Sequence, residues 1–159
     1  MDTLIARQGP RPRTTSTNPH VQLEQNALGE QWSELARRAF NLPGVEERPS
    51  LVSVPGARAL WLRDDVPVGP SEAFMAGREF AHLHPLPEGS LHLALPPDLA
   101  REAIAKGWAE QHPMARMGYL PSTIVMVYGP RDADELEIVW ALVKGSHGYA
   151  RPAAVRQSE

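Results

Sequence analysis

Apolar residues recur every three or four positions in three segments, which indicates amphipathic helices. The first segment is "LGEQWSELARRAFNLPG", where Pro43 and Gly44 end the helix after an apolar face formed by Leu28, Trp32, Leu35, Ala36 and Phe40. The second is "PPDLAREAIAKG", with prolines at its start and Gly107 at its end. The third is "RDADELEIVWALVKGSHGYA", with an apolar face formed by Leu136, Val139, Trp140 and Val143.

Short apolar runs between these helices are typical of β-strands. We predict strands over residues 51–54, 59–62, 79–84 and 90–95, and a strand buried on both faces in "TIVMVYGP". The stretch "WAEQHPMARMGYLPS" has no clear period, and we predict a loop there. The order of elements predicts an α+β fold in a single domain, with a mostly antiparallel sheet covered on one face by helices.

The 159 residues suffice for one domain with its own core. Residues 1–20 carry three prolines, three arginines and several hydroxyl side chains, and we predict a disordered tail there. The folded domain is expected to span residues 21–150, followed by a frayed tail over residues 151–159.

Composition narrows the class of function. The net charge of −3 argues against nucleic-acid binding, which needs a basic face. No apolar run approaches the roughly 20 residues of a membrane span. The absence of cysteine excludes thiolate chemistry and, with no signal-peptide pattern, favours a cytoplasmic location.

The stretch "EFAHLHPLPEGSLHLAL" holds three histidines, His82, His84 and His92. Side chains alternate between the faces of a strand, so Phe80, His82 and His84 should share one face. The face that carries Leu91, Leu93 and Leu95 should meet the core, which leaves His92 on the histidine side. We expect His84 to pair with His92 across a hairpin, because a slip of one residue would expose the leucines.

Two kinds of chemistry suit such a cluster, and a third interpretation is three separate polar residues on a wet sheet face. Three neutral imidazoles can hold zinc, iron or copper, and "HLHPLPE" has the His-x-His-x-x-x-Glu spacing of a cupin metal site, although a cupin's later histidine strand is missing. Imidazole can also act as a general base near neutral pH.

Four motifs in order, "REFAHLHP", "LHLAL", "KGWAEQHP" and "VYGPRDADELEIV…GYA", resemble the luciferase-like domain of the fungal bioluminescence luciferases and their bacterial relatives. The resemblance covers roughly residues 78–150. It implies an oxygenase that acts on 3-hydroxyhispidin or a related enolic pyrone, with O2 as the cosubstrate and no flavin or metal. His82, His84 and His92 would then supply the base.

Further side chains in these motifs are candidates for substrate binding. They are Arg78, Lys106, Trp108, His112 and Tyr128. A metal-dependent enzyme that uses the His82, His84 and His92 cluster is the alternative function, and a non-enzymatic domain that binds a small ligand is another. All three hypotheses predict a small-molecule partner.

Overall fold

The computed structural model describes residues 3–152 and contains one six-stranded antiparallel sheet. The strands, in chain order, are β1 (Val45–Pro49), β2 (Arg58–Leu62), β3 (Glu79–Leu83), β4 (Leu91–Ala94), β5 (Ala109–Gln111) and β6 (Ile124–Val127). Their order across the sheet is β1-β2-β3-β4-β6-β5. The α+β class and the antiparallel sheet predicted from the sequence are confirmed.

Within residues 3–152, four α-helices and one 3-10 turn at Ser71–Ala73 accompany the sheet. They are α1 (Gly29–Phe40), α2 (Pro97–Ala105), α3 (Pro113–Arg116) and α4 (Ala133–Ala150). Helix α4 packs on β3 and β4 and against α1, so these two helices cover the leucine face of the sheet. The Asp132 side chain caps α4 by accepting a hydrogen bond from the Glu135 N–H. No helix among residues 3–152 combines the length and the apolar character needed to cross a membrane.

Two predicted segments differ from the structure. The first strand is Val45–Pro49, whereas residues 51–54 form bends and a loop, so the strand predicted there is wrong. The predicted loop over residues 108–122 contains β5 and the short helix α3. Both elements are only three or four residues long, too short to show a hydrophobic period.

Strands β3 and β4 carry the predicted histidines on one face and the leucines on the other. Leu83, Leu91 and Leu93 are fully buried in the core with Leu95, as expected. The register pairs His82, not His84, with His92. This shift of two residues preserves the side of every side chain, because the period of a strand is two.

A β-bulge in β3 moves one side chain against the alternation. Leu60 pairs with Ala81 while Trp61 pairs with Glu79, so Phe80 is an extra residue in its strand. Phe80 therefore lies in the core, with its ring 6.0 Å from that of His147 in α4, rather than beside the histidines. The same bulge turns Glu79 toward the histidine face, where its carboxylate accepts a hydrogen bond from His82.

The N-terminal segment, residues 3–27, packs on the domain instead of forming the predicted tail. Leu4, Arg7 and His20 are buried, and the Arg7 N–H donates to the carbonyl of Lys106. Residues 13–23 form a hairpin-like turn, with hydrogen bonds from the Thr15 N–H to Val21 and from the Leu23 N–H to Arg13. Only residues 1 and 2 of the predicted tail, and residues 153–159 of the predicted C-terminal tail, lie outside the described residues.

A glycine allows this segment to approach β6 closely. The Gly129 N–H donates to the Gln22 side chain at 3.0 Å, and a Cβ at Gly129 would lie 2.7 Å from the Ala27 side chain. The segment therefore covers the face of the sheet that α1 and α4 leave uncovered.

Leu93→Ala should destabilise the protein by about 2–5 kcal/mol, because it leaves a cavity in a fully packed layer. Leu23→Ala, at a half-exposed position, is the matched control and should cost far less. Urea denaturation of both variants measures the difference, and equal costs would contradict the assignment of the leucine face as the core.

Candidate active site

Five of the six histidines in the chain meet on the sheet face opposite the leucines. His82 lies in β3 and His84 directly after it, His92 lies in β4, His112 caps α3, and His20 comes from the N-terminal segment. All five are buried, and neighbouring ring centroids are 4.6–5.2 Å apart. The structure thus adds two histidines to the three that the strand pattern predicted to lie together.

Carboxylates determine which ring nitrogens carry protons in two of these histidines. The Nδ1 of His82 lies 2.9 Å from Glu79 Oε2, and the Nδ1 of His84 lies 3.0 Å from Glu88 Oε1. A carboxylate accepts hydrogen bonds, so each Nδ1 carries the proton of its neutral ring. The Nε2 atoms of His82 and His84 are therefore left with bare lone pairs.

The same reasoning reaches His92 through His20. The Nε2 of His20 lies 2.8 Å from Glu110 Oε2 and donates to it, so the Nδ1 of His20 has a bare lone pair. That lone pair accepts a hydrogen bond from the Nε2 of His92 at 2.9 Å. The Nδ1 of His92 is then bare as well, and it faces the bare Nε2 of His82 at 3.2 Å.

His82, His84 and His92 are here called the histidine trio. The unprotonated nitrogens of His82 and His92 face each other, and one ring nitrogen of each of the three residues lies within 4.8 Å of the others. Burial lowers the pKa of His92 well below 6.5, and the neighbouring histidines lower it further by charge repulsion. Burial likewise lowers the pKa of His82, although its hydrogen bond to Glu79 opposes the shift. Both shifts favour the neutral forms of His82 and His92, whose unprotonated nitrogens can then accept a proton or a cation.

Two of the carboxylates that fix these rings, Glu88 and Glu110, are held in the charged form by the hydrogen bonds that they accept. Burial opposes the ionisation of Glu88, but hydrogen bonds from His84, Gln22 and Ser90 outweigh it and lower the pKa. The pKa of Glu110 is also lowered, because hydrogen bonds from His20, Thr14 and Tyr128 outweigh the effect of burial. Glu79 accepts from the Ser50 hydroxyl and the Leu51 N–H in addition to His82.

His112 has the opposite arrangement of its proton. Its Nδ1 accepts a hydrogen bond from the Met114 N–H at 3.0 Å, as a helix cap does, so the proton lies on Nε2. Burial, together with repulsion from His20, His82 and His84, lowers its pKa to about 4. At neutral pH His112 is thus a neutral hydrogen-bond donor beside three acceptors.

Two cavities reach the cluster from outside. One has a volume of about 290 Å³ and is bounded by His82, His92 and His112 on one side and by mostly apolar side chains on the other: Val52, Met75, Met114, Tyr119, Leu120 and Ile124. The second, of about 440 Å³, lies against His20, His84, His92 and His112. Asn18 and Val52 line both cavities, so the N-terminal segment and the loop after β1 form their shared wall.

Two sets of three histidines could hold a metal ion among the described residues. They are the histidine trio and the set of His20, His92 and His112. In each set, one ring nitrogen of each histidine lies within 4.8 Å of those of the other two. His92 belongs to both sets. The cluster can therefore act through its lone pairs in two ways, as a proton acceptor or as a group of metal ligands.

Four of the eight predicted site residues meet in this cluster, namely the trio and His112. Tyr128 is connected to it only indirectly, since its hydroxyl donates to Glu110 at 2.8 Å and Glu110 holds His20. Burial and the hydrogen bond to Glu110 raise the pKa of Tyr128 to about 12. Tyr128 is thus a protonated donor behind the histidines.

The other three predicted residues lie elsewhere in the fold. Arg78 donates to the carbonyls of Arg63 and Val66, where it holds the turn after β2. Lys106 is the C-cap of α2, and its carbonyl accepts from the N-terminal segment. Trp108 is a core residue whose indole N–H donates to the carbonyl of Ile5. None of the three lines either histidine cavity, so their prediction as substrate-binding residues is not supported by their positions.

Several residues of the site were not predicted from the sequence. Glu88 could have been found, because it is the glutamate of the His-x-His-x-x-x-Glu spacing. In the structure it accepts a hydrogen bond from the Nδ1 of His84 instead of joining the trio's bare nitrogens. Glu79 could not be predicted, because strict alternation places it on the leucine face and only the bulge turns it toward His82. His20 lies in a polar, proline-containing stretch with no period, and no sequence pattern connects it with a histidine 72 positions away.

These features define a class: an α+β domain with buried imidazoles at the end of apolar cavities sized for a small molecule. Residues 77–146 match the sequence model of the family described as the Luciferase domain. The chain thus contains a fungal-luciferase-like domain, as its motifs predicted.

The relatives support this assignment over most of the chain. It is 32% identical to a luciferase of Armillaria ostoyae over 164 residues and 31% identical to a luciferase of Neonothopanus nambi over 166 residues. Each alignment covers 92% of this chain and 60% of the relative, so the chain spans about three fifths of their length. No solved structure matches the chain significantly.

The buried, neutral His112 predicts how stability depends on pH. Its pKa is about 4 in the folded state and about 6.5 when exposed, so between these values only the unfolded chain gains this proton. Stability should therefore fall as the pH is lowered from about 6.5 toward 4, and His112→Asn, which can still cap α3, should weaken the dependence. Urea midpoints across this range measure it, and equal slopes for the two proteins would contradict the assignment.

Proposed function

We propose that the protein is a luciferase-like oxygenase that removes the proton of an enolic small molecule and combines the resulting anion with O2. The observation that carries this proposal is that His82 and His92, whose bare nitrogens face each other, lie at the end of an apolar cavity, with His84 beside them at the second cavity. The names of the relatives support a luciferase-like reaction at a coarse level. The enolic substrate class, with 3-hydroxyhispidin as its first representative, and the role of the base are our proposal.

The first step is a proton transfer. The enol O–H gives its proton to a bare nitrogen of the trio, and the O–H bond breaks to leave its electron pair on the substrate. The new imidazolium is stabilised by the carboxylate behind it, which compensates for forming a charge in a buried place. A buried imidazole of lowered pKa is a weak base, so the substrate must be an acidic enol rather than a carbon acid.

The second step is oxidation of the anion by O2. The electron-rich anion is oxidised and oxygen is reduced, a new carbon–oxygen bond forms, and the product is a peroxide. The apolar wall keeps water away from this species. His112 is the only cluster histidine whose free ring nitrogen carries a proton, so it donates a hydrogen bond to the developing negative charge.

Oxygen uptake by the purified protein tests the substrate class. A panel of enolic pyrones, including 3-hydroxyhispidin, is compared with the same compounds methylated on the enol oxygen. Uptake with free enols only, with or without light, supports the proposal. Tight binding of the enols without oxygen uptake would instead establish a non-enzymatic ligand-binding domain.

His84→Asn should lower the rate of oxygen uptake by about a hundredfold to ten-thousandfold, the range of general base catalysis. The asparagine keeps an N–H that can reach Glu88 but removes the bare Nε2. His147→Gln is the control outside the cluster, because it keeps a donor for the carbonyl of Pro43. Thermal midpoints are recorded for both variants, and normal turnover by folded His84→Asn protein would show that His84 is structural.

A further inference from the structure

We infer that the Nε2 of His82, the Nε2 of His84 and the Nδ1 of His92 form a binding site for one divalent transition-metal cation, with zinc as its simplest probe. This goes beyond the proposed function and does not require it. It also departs from the expectation of a metal-free protein that the sequence resemblance implies.

The proton arrangement is the first argument. The bare lone pairs of His82 and His92 face each other in a buried site, where they repel each other and have no donor between them. The Nε2 of His82 and the Nδ1 of His92 are 3.2 Å apart, and with Glu79 and Glu110 as acceptors no proton of the neutral rings lies between them. A cation is what removes this repulsion, and neutral imidazole nitrogens are common ligands of zinc, iron and copper.

The distances are the second argument. Two nitrogens that each lie about 2.0–2.1 Å from a tetrahedral zinc are about 3.3–3.4 Å apart. The 3.2 Å between His82 and His92 is close to this spacing. One ring nitrogen of each trio residue lies within 4.8 Å of the others, so the three side chains are close enough together to share one cation.

The hydrogen bonds behind the ligands are the third argument. Metal-binding histidines generally donate their other N–H to a carboxylate or carbonyl, which orients the ring and increases its basicity. His82 does so to Glu79 and His84 to Glu88, while the other nitrogen of His92 donates to His20. His82 and His92 also line the 290 Å³ cavity, which leaves the fourth position of a tetrahedral ion open to a small molecule.

The second set of histidines fits a metal less well. The Nδ1 of His20 and the Nε2 of His92 are 2.9 Å apart, the distance of a direct hydrogen bond. His112 presents a protonated Nε2, because its Nδ1 is occupied by the Met114 N–H. Coordination by this set would break two hydrogen bonds, whereas coordination by the trio breaks none that a neutral cluster makes.

A cation and the substrate proton would compete for the same lone pairs. In the proposed reaction the metal-free trio is the base, so a bound cation would occupy the proton acceptor. Metal binding is measured without substrate, and a failure of the proposed function therefore leaves the metal inference intact. A failure to bind metal likewise leaves the proposed function intact.

Equilibrium dialysis of the chelator-treated protein against zinc gives the stoichiometry. We expect about one equivalent for the natural protein, a visible absorption band of tetrahedral cobalt when Co²⁺ replaces zinc, and a zinc-dependent rise in thermal midpoint. The dialysed protein contains residues 1–159. Absence of bound zinc and of the cobalt band would overturn the inference.

Three variants identify the ligands. His84→Asn should abolish stoichiometric binding, whereas His112→Asn should retain it, since His112 belongs only to the other set. His147→Gln is the control for loss of a histidine outside the cluster and should also bind one equivalent. Circular dichroism verifies that each variant is folded. Loss of zinc in folded His112→Asn protein, with binding kept in folded His84→Asn protein, would overturn the assignment of the trio.

Discussion

Hydrogen bonds from imidazoles to carboxylates are the constraint on which the rest of this site depends. A buried imidazole that lacks a partner loses its hydration without compensation, and five of them lie together here. Glu79, Glu88 and Glu110 resolve this by each accepting from one ring. Because these acceptors stand at the outside of the cluster, the unprotonated nitrogens of the trio are left on the inside, whereas His112 has the opposite arrangement. The chemistry of the site follows from that placement more than from the number of histidines.

The fold supplies these acceptors through irregular features. Glu79 reaches the histidine face only because the bulge at Phe80 interrupts the alternation of β3. Glu88 lies in the tight loop between β3 and β4, where the Ser90 N–H and hydroxyl also bind it. Glu110 comes from the short edge strand β5. The regular part of the sheet provides a rigid support, while the bulge, the loop and the edge strand orient the three carboxylates toward the histidines.

The sequence was informative where the chain is periodic. Alternation in β3 and β4 placed His82, His84 and His92 on one face, because exposing Leu91 and Leu93 is too costly for any other arrangement. It could not reveal the exact pairing, since a shift of two residues leaves every face unchanged. The placement of residues in loops and caps could not be derived from periodicity for a related reason, although His112 was a candidate through its motif. His20 and His112 are placed by turns and by single hydrogen bonds, and neither leaves a repeated pattern in the sequence.

The substrate-binding candidates taken from the family motifs lie in different parts of the fold. Trp108 and Lys106 lie in a shared motif with His112, yet Trp108 packs in the core and Lys106 ends a helix. These residues are close in the sequence, but in the fold Trp108 and Lys106 have structural positions away from the cluster that contains His112. A Gly107 turn with positive φ separates the helix from β5, and the side chains before and after it diverge.

The N-terminal segment has a consequence for how the family could diversify. The stretch matched by the family begins at residue 77, whereas His20, Asn18 and Val52 lie before it and shape the cavities. Recombination between relatives at that boundary would exchange the cavity wall and the partner of His92 while leaving the trio in place. Part of the cavity wall and the orientation of the central imidazole would then be inherited together with α1, β1 and β2, as one unit separable from the trio.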